Sequence, residues 1–546
     1  MPSSALRLPA SILGLLLAAA PAVAAPAPGT TASADADGAR RLALLDAYAR
    51  LVDPSLGELA PAEHEHGPQC LTGLVKELRE NQHLFSPDEW LDIQSTLGLP
   101  PPSATPPSPM PDGTCTGDTA ENSLAGEHFV VYWGSGSTQG QAEDLLESLE
   151  FSWETLIDDL GWDPPTGTPD LKLRFQISDS NYAGAYTTID WCSGVGYVPY
   201  MVAGRGSFSA GTWYKTMAAH EFNHASQWGY SYAHEFYWWE ATATWVEEYV
   251  YPSYNDWADM YVYFSFYPHI ALNASNQQDQ EIFAHMYSMG IFATWMDENV
   301  GGHDLVMGTW DEVKGDNGQY DAWLPDVLED MGEDFDSLWQ GFMASTAFMD
   351  FAESSSYYDI QSVDDVGSLP ATGDEQRDAP QSLGMNYFEI DEDQGAEGKY
   401  LQVDFAGDDG IDWNVVLVSG DGNTVHEYVA AQIEDGVGSA WLPFDGDKKA
   451  YLVVSPKDED VQGYFYDWTD ADEYDFDFEL CLADGETGLP CGDADTGGTD
   501  DTGSDPATPD GDEDGDGGCG CFAGATPAAG LLWAAGLLGL AARRRR

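Results

Sequence analysis

The segment His220–His224 reads HEFNH, an instance of the pattern H-E-x-x-H. Residues four apart on a helix lie on one face, so the imidazoles of His220 and His224 can bind one metal ion together. The pattern is typical of Zn²⁺ sites in which the glutamate between the histidines, here Glu221, takes a proton from water. The alternative is that the two histidines lie on a helix and bind no metal. With 11 histidines in the chain and a suitable glutamate downstream, the metal site is favoured.

A zinc site with this pattern needs a third protein ligand and keeps a fourth position for water. One class of such enzymes has glycine three residues, and histidine or aspartate six residues, after the second histidine. This chain has Gln227 and Tyr230 there, which excludes that layout. In the other layout the third ligand is a glutamate on the next helix. Glu240 lies at a plausible distance along the chain, and Gly229 allows a turn back.

A second helix is predicted over about residues 237–251, ended by Pro252 and carrying Glu240. The expected metal centre is therefore Zn²⁺ bound by His220, His224 and Glu240. Four neighbouring side chains stay open as alternative third ligands. They are Glu247, Glu248, His234 and Glu235.

The segment WWEATATWVEE, residues 238–248, resembles the Trp-x-Glu-Gly-x-Ala-x-Trp/Tyr stretch of gluzincin and collagenase-like metallopeptidases. The likeness covers roughly residues 215–250, with a looser one through the helix around residues 287–298. It implies a zinc metallopeptidase with Glu240 as a ligand. The family's glycine after the ligand glutamate is replaced by Ala241. The matched residues are Trp238, Trp239, Glu240, Ala243 and Trp245.

The resemblance leaves the surrounding groups open. Thermolysin-like members have an aspartate four residues after the ligand glutamate that supports a ligand histidine, and this chain has Thr244 there. Either Thr244 or Glu247 would then orient His220. Members of this clan often donate a hydrogen bond to the oxyanion from Tyr or His. The candidates are Tyr287, which we favour, His285 and Tyr230.

Several elements must position these residues. Residues 128–133 and 171–177 read as strands around an amphipathic helix that ends at Gly161, and a second strand pair is expected around residues 197–202. The HEFNH helix follows, over about residues 212–227. A sheet followed by a helix with H-E-x-x-H is the usual order of zincin catalytic domains, which is an analogy of fold.

The chain is predicted to be an α+β protein with a zincin-like catalytic domain over residues 115–370 and a β-sandwich domain over residues 380–491. The sandwich is indicated by short alternating strands between Gly/Asp turns. Residues 25–99 form a helical N-terminal segment, either a propeptide or a structural subdomain. A Pro-rich linker follows over residues 100–114, and residues 492–518 form an acidic, low-complexity stalk.

Both ends read as targeting segments. Residues 1–24 have the pattern of a secretory signal peptide. Residues 519–546 resemble the C-terminal sorting signal of myxobacteria (MYXO-CTERM), with Cys519–Cys521, an apolar stretch of spanning length and Arg543–Arg546. The combination resembles secreted metallopeptidases of myxobacteria that carry this tail. It implies a protein exported and anchored at the cell surface, with an ordinary membrane anchor as the alternative.

Two of the seven cysteines belong to this tail, and export permits disulfides among the other five. Cys481 with Cys491 would close a short loop. Cys70 with Cys115 would tie the N-terminal segment to the next domain, which leaves Cys192 over. The chain has no C-x-x-C pattern, so a cysteine zinc knuckle is not expected.

The formal net charge is −74, from 94 acidic and 20 basic residues. Such a field repels nucleic acid, so no nucleic-acid partner is expected. The expected partners are a protein or peptide substrate and, through the tail, a membrane; the sequence does not fix the oligomeric state. The predicted activity is peptide-bond hydrolysis, as an endopeptidase. The alternative is a non-proteolytic, zinc-containing surface adhesin.

Overall fold

The structure of the protein is a computed structural model. It covers residues 31–52, 70–97, 99, 115, 121–209, 211–275, 280–316, 322–390, 398–444, 448–458, 472–486 and 491. All of these belong to the first of two compact units, Met1–Asp495. The predicted signal peptide, Pro-rich linker, acidic stalk and C-terminal tail lie outside the described residues. No helix within the described ranges is long and apolar enough to cross a membrane.

The protein combines helices with three β-sheets. The α-helices are α1 (Thr31–Val52), α2 (Thr72–Glu80), α3 (Pro87–Leu97), α4 (Gln139–Trp153), α5 (Trp213–Tyr230), α6 (Phe236–Val250), α7 (Asp256–Phe266), α8 (Gln280–Ser288), α9 (Gly290–Asn299), α10 (His303–Glu312), α11 (Leu324–Asp330) and α12 (Phe335–Phe348).

The strands are β1 (Asn122–Ala125), β2 (Phe129–Trp133), β3 (Leu173–Ser178), β4 (Ala185–Cys192), β5 (Gly196–Gly204), β6 (Val363–Asp365), β7 (Ala371–Asp374), β8 (Asn386–Ile390), β9 (Lys399–Gly407), β10 (Asp412–Asp421), β11 (Thr424–Ala430), β12 (Gln432–Glu434), β13 (Val437–Phe444), β14 (Lys449–Lys457) and β15 (Phe476–Ala483).

The first sheet has the strand order β1-β2-β3-β5-β4. The pairs β2–β3 and β3–β5 are parallel, and β4 runs antiparallel to β5 at one edge. The predicted second strand pair corresponds to β4 and β5. An edge strand offers unpaired backbone N–H and C=O groups to another extended chain. Strands β4 and β1, at the two edges, are therefore the parts of this sheet that can accept a further strand.

Helices α4 and α5 cover one face of this sheet. The ring of Phe222 on α5 packs between Phe129 of β2 and Trp153 of α4, with centroid distances of 5.1 and 5.7 Å. All three side chains are buried. This contact fixes the apolar side of α5 against the sheet, opposite the side that carries the histidines.

The other face of β4 and β5 is covered by the N-terminal helices. Four side chains form what we call the aromatic face: Tyr186, Tyr200 and Val202 of these two strands, and Tyr182 just before β4. They are buried in one cluster with apolar residues of α2 and α3, among them Leu78. Helices thus lie on both sides of the sheet, and the N-terminal segment completes one of its two cores.

The HEFNH helix, predicted over about residues 212–227, spans Trp213–Tyr230, and the second helix, predicted over 237–251, spans Phe236–Val250. Gly229, expected at the turn between them, lies inside the last turn of α5; the chain leaves the helix at Ser231 instead. Helix α9 approaches α6 closely at Gly290, where a Cβ would lie 2.9 Å from the carbonyl oxygen of Ala241.

The C-terminal region is β-sandwich-like, as predicted. Its sheets have the orders β11-β10-β14-β8-β6 and β12-β13-β9-β15-β7, and a separate apolar core lies between them. Strands β6 and β7 lie before residue 380 and also belong to these sheets. Strand β6 pairs with β8, and β7 pairs with β15. The alternation in both strands is too short to predict them from sequence.

The disulfides agree with one sequence prediction and correct another. Cys481 pairs with Cys491, as expected. The pairing of Cys70 with Cys115 was wrong, since Cys115 is bonded to Cys192 at the end of β4. Cys70 is a buried free thiol. Sequence spacing could not distinguish these pairings, because any two of Cys70, Cys115 and Cys192 can pair in an exported protein.

Replacing Phe222 by alanine removes the aromatic ring that joins α5 to the sheet. We expect Phe222→Ala to lower the free energy of unfolding by about 3–5 kcal/mol, because a cavity forms in a close-packed core. Guanidinium denaturation of the metal-free chain, followed by tryptophan fluorescence, measures this change. The half-exposed Phe151 on α4 provides a matched control. If Phe151→Ala is as destabilising as Phe222→Ala, the packing argument is incorrect.

Candidate metal centre

Helix α5 places both histidines of the pattern in the protein interior. Only 5 % of His220, 1 % of Glu221 and none of His224 is accessible to solvent. The two imidazole centroids are 4.8 Å apart, as expected for residues four apart on one helix face. Burying such polar side chains is unfavourable unless each has a partner, so the surrounding contacts determine what this cluster can do.

Helix α6 brings Glu240 to the same point. Its Oε2 atom lies 3.2 Å from Nε2 of His220 and 3.4 Å from Nε2 of His224. The carboxylate is fully buried. The three residues predicted as ligands therefore converge, each with a donor atom facing the others.

A fourth donor comes from the N-terminal segment. The Sγ atom of Cys70 lies 3.5 Å from Nε2 of His224 and 3.8 Å from Oε1 of Glu240. One donor atom from each of Cys70, His220, His224 and Glu240 lies within 4.8 Å of the others. Tetrahedral zinc bonds of about 2.0–2.3 Å place neighbouring donors about 3.3–3.7 Å apart, so the spacing fits Zn²⁺.

Each histidine is oriented through its other ring nitrogen. Nδ1 of His220 is 2.8 Å from a carboxylate oxygen of Glu247, and Nδ1 of His224 is 2.7 Å from Oε1 of Gln227. Such contacts fix the ring so that Nε2 faces a metal. Of the two residues considered for His220, the structure places Glu247 there. The hydroxyl of Thr244 donates instead to the backbone carbonyl of Glu240, at 2.9 Å.

The carboxylate of Glu221 lies beside the cluster, next to β4. Its Oε2 atom is 2.7 Å from the hydroxyl of Thr187 and 3.5 Å from the hydroxyl of Thr72. Glu221 does not belong to the four converging donors. It lines the same small cavity as Cys70 and His220.

Of the three candidates for the oxyanion donor, the structure brings only Tyr287 to the cluster. Its ring centroid is 6.2 Å from that of His220, and its hydroxyl donates to the backbone carbonyl of Cys70 at 3.1 Å. The hydroxyl of Tyr230 accepts from the backbone N–H of Asp163, and His285 contacts the carbonyl of Ala271.

The alternative third ligands point elsewhere. His234 lies 2.8 Å from the carbonyl oxygen of Thr309, and Glu235 accepts from the amide of Asn273. Glu248 is partly exposed and is not among the converging donors.

Proton affinities in the metal-free cluster reflect the competition between burial and neighbouring charge. Burial opposes the charged form of each imidazole, but Cys70 and the carboxylates outweigh it. They raise the pKa of His220 well above its usual range and the pKa of His224 to about 10. Burial also opposes ionisation of Glu240, yet the two histidines lower its pKa to about 2. For Glu221 burial prevails over the histidines, and its pKa is raised.

Sequence reasoning missed Gln227 and Cys70 in this site. Gln227 was noted only because it occupies the position of a glycine in another layout. Its amide, facing Oδ1 of Asn223 at 2.7 Å and Oγ1 of Thr242 at 2.9 Å, is held with its oxygen towards His224. No local signal marks Cys70, which is 154 residues from His224.

Comparison with known proteins adds little to this geometry. No model of a known family matches the sequence, and no curated protein matches it. One similar solved structure is the pre-peptidase C-terminal domain of a collagenase from Bacillus anthracis. The identity is 18 %, over 22 % of this chain and 93 % of that one, with a TM-score of 0.13. At this level the similarity carries no argument about activity, which has to come from the cluster itself.

Replacing Glu247 tests its role in orienting His220. We expect Glu247→Ala to weaken Zn²⁺ binding by about 10–100-fold, because His220 loses the partner that fixes its ring. Competition with a chelating dye measures the affinity. The exposed Glu312 provides a control of equal charge change. Equal affinities for Glu247→Ala and Glu312→Ala would contradict this role.

The raised pKa values of the histidines predict proton release on metal binding. Raised pKa values favour the protonated form of both imidazoles in the absence of a metal, and a ligating imidazole must be neutral. Raising the pH removes the competing protons, so the Zn²⁺ affinity should rise by up to about tenfold per pH unit for each proton released. Calorimetric titration in buffers of different ionisation enthalpy counts these protons. An affinity that does not change between about pH 6 and pH 8 would refute the prediction.

Proposed function

We propose that this protein is a zinc-dependent metallopeptidase of the gluzincin type, with His220, His224 and Glu240 as metal ligands and Glu221 as the general base. The observation that carries the proposal is that the donor atoms of His220, His224 and Glu240 converge at zinc spacing, together with that of Cys70. The carboxylate of Glu221, which is not among these donors, lies beside them. A purely structural metal site has no need of that carboxylate.

The arrangement of elements is consistent with a zincin-like catalytic domain. A sheet with an antiparallel edge strand precedes the helix that carries the two histidines, and the next helix carries the third ligand. Oriented partners of both histidines are also typical of catalytic zinc sites. The proposal thus joins the sequence resemblance to the geometry of the described residues.

Bound Zn²⁺ would polarise the scissile carbonyl and lower the pKa of the attacking water. The chain's own residues supply the remaining chemistry. Glu221 accepts the proton of the water and passes it to the leaving nitrogen. The hydroxyl of Tyr287, which here donates to a backbone carbonyl, would donate to the oxygen of the substrate carbonyl as charge develops on it.

The substrate backbone would bind along β4. This edge strand lies beside Glu221, whose carboxylate contacts Thr187 of that strand. An extended peptide can pair with such an edge, and main-chain hydrogen bonds then fix its position. A peptide paired along this edge would present an internal peptide bond to the metal, which favours an endopeptidase.

We further propose export and attachment at the cell surface. The signal-peptide pattern of residues 1–24 and the sorting-signal resemblance of residues 519–546 support this location. A location outside the cell agrees with the two disulfides of the described body. The proposed substrate is accordingly an extracellular protein or peptide.

A second candidate function is a zinc-containing surface protein without peptidase activity. The observation that favours it is the fourth donor, Cys70, because structural zinc sites have four protein ligands and no open position. Under this alternative Glu221 and Tyr287 have no chemical role.

Replacing Glu221 by glutamine tests the proposed chemistry. We expect Glu221→Gln to reduce peptide hydrolysis by at least about 100-fold, since the base is lost, while zinc content stays the same. Cleavage of casein and of a peptide library should be measured before and after limited proteolysis, because residues 25–99 are a predicted propeptide. Glu312→Gln is the control. Full activity in Glu221→Gln would exclude this mechanism.

A further inference from the structure

The free thiol of Cys70 is buried against the proposed ligands, in a segment far from them in sequence. We propose that the Cys70 thiolate is the fourth metal ligand of a latent form of the enzyme, and that residues 70–72 inhibit it by occupying the substrate position. This inference rests on the proposed function. It assigns the N-terminal segment the role of an inhibitory propeptide.

The first step of the argument is coordination. A catalytic zinc site has three protein ligands and one exchangeable position, whereas four protein donors close the site. The Sγ atom of Cys70 stands 3.5 Å from His224 Nε2 and 3.8 Å from Glu240 Oε1, at the spacing of a fourth tetrahedral donor. A thiolate in that position excludes the water that hydrolysis requires.

The second step is the backbone of the segment. The N–H of Leu71 donates to the carbonyl of Ala185 at 2.6 Å, and Cys70 forms an isolated parallel bridge with Ala185. The N–H of Thr187 donates to the hydroxyl of Thr72 at 2.9 Å. These bonds use the same edge of β4 that a substrate would need. The segment therefore competes with substrate for main-chain hydrogen bonds.

Helix α2 extends the contact along β4. The guanidinium of Arg79 donates to the carbonyl of Ile189 at 3.1 Å. Polar groups of β4 are thus bonded to the N-terminal segment at residues 185, 187 and 189, on alternate positions that face one side of the strand edge.

The third step is that both catalytic groups are engaged. The carbonyl of Cys70 accepts the hydrogen bond of Tyr287 at 3.1 Å, where a substrate carbonyl would be expected. The hydroxyl of Thr72 faces Glu221 at 3.5 Å. Cys70 thus contacts two proposed metal ligands and the proposed oxyanion donor, and Thr72, two residues later, contacts the proposed general base. A structural zinc cysteine requires only the first of these contacts.

Little space remains beside the cluster for a substrate. The cavity beside the cluster, lined by Trp213, Glu247 and Met260 among others, has room for about one water molecule. No peptide can enter it while Cys70 is in place. On activation the Cys70 thiolate would leave the metal and take up a proton from solvent, and a water molecule would take its place. No electrons are transferred in this exchange.

Spectroscopy of the unprocessed full chain loaded with Co²⁺ tests the ligand assignment independently of activity. We expect a sulfur-to-cobalt charge-transfer band that is lost in Cys70→Ser. The control Leu91→Ser alters an exposed residue of α3 and should keep the band. Equal spectra for the wild type and Cys70→Ser would overturn the assignment of Cys70 as a ligand.

Kinetics of the same proteins tests latency. If fewer than about 10 % of wild-type molecules are open, Cys70→Ser raises the initial rate of peptide hydrolysis by at least about tenfold. Adding Glu221→Gln to Cys70→Ser should remove the gain. A synthetic peptide of residues 67–76 should inhibit the Cys70→Ser chain, and the same peptide with serine at position 70 should inhibit it less.

The outcomes separate this inference from the proposed function. Hydrolysis that depends on Glu221 but is equally fast with and without Cys70 overturns latency and leaves the peptidase standing. A Cys70-dependent cobalt band, with no hydrolysis by Cys70→Ser or by the proteolysed chain freed of its N-terminal fragment, overturns both and identifies a closed structural site. Failure of the chain to bind Co²⁺ or Zn²⁺ overturns the metal centre itself.

Discussion

Glu240 is a carboxylate wholly removed from water, and the rest of the site depends on how its charge is balanced. A buried anion is tolerated only where cations or hydrogen-bond donors surround it. Here two imidazoles provide that balance, as protonated rings in the metal-free protein or as co-ligands of a bound dication. Helices α5 and α6 must remain in register for this contact to exist. The apolar cores on both sides of the first sheet hold the elements around this contact in place.

The sequence predicts the part of the site that is encoded locally. His220, Glu221 and His224 are related by the helical repeat, and Glu240 follows on the next helix after one turn. Hydrophobic patterns set both helices to within a few residues of their observed ends. The β-sandwich-like region is predicted for the same reason, since its strands alternate in polarity and are separated by turn residues.

The remaining parts depend on contacts that no local pattern encodes. Cys70 reaches the cluster only because α2 and α3 dock on the aromatic face, and Glu247 reaches His220 only because α6 packs on α5. The disulfide between Cys115 and Cys192 was likewise hidden, because pairing depends on which strand lies at the sheet edge. Long-range packing determines which of these residues meet, and a single sequence does not show that packing.

The aromatic face has a consequence for maturation. Its four side chains are shielded from water by the helices that also deliver Cys70. Cleavage of the chain between these helices and the sheet would therefore not by itself separate the two parts, since the proposed inhibitory segment also supplies half of a core. Dissociation of the N-terminal helices would expose the aromatic face to solvent. Such an exposed face would either bind another molecule or keep the cleaved fragment bound as a non-covalent subunit.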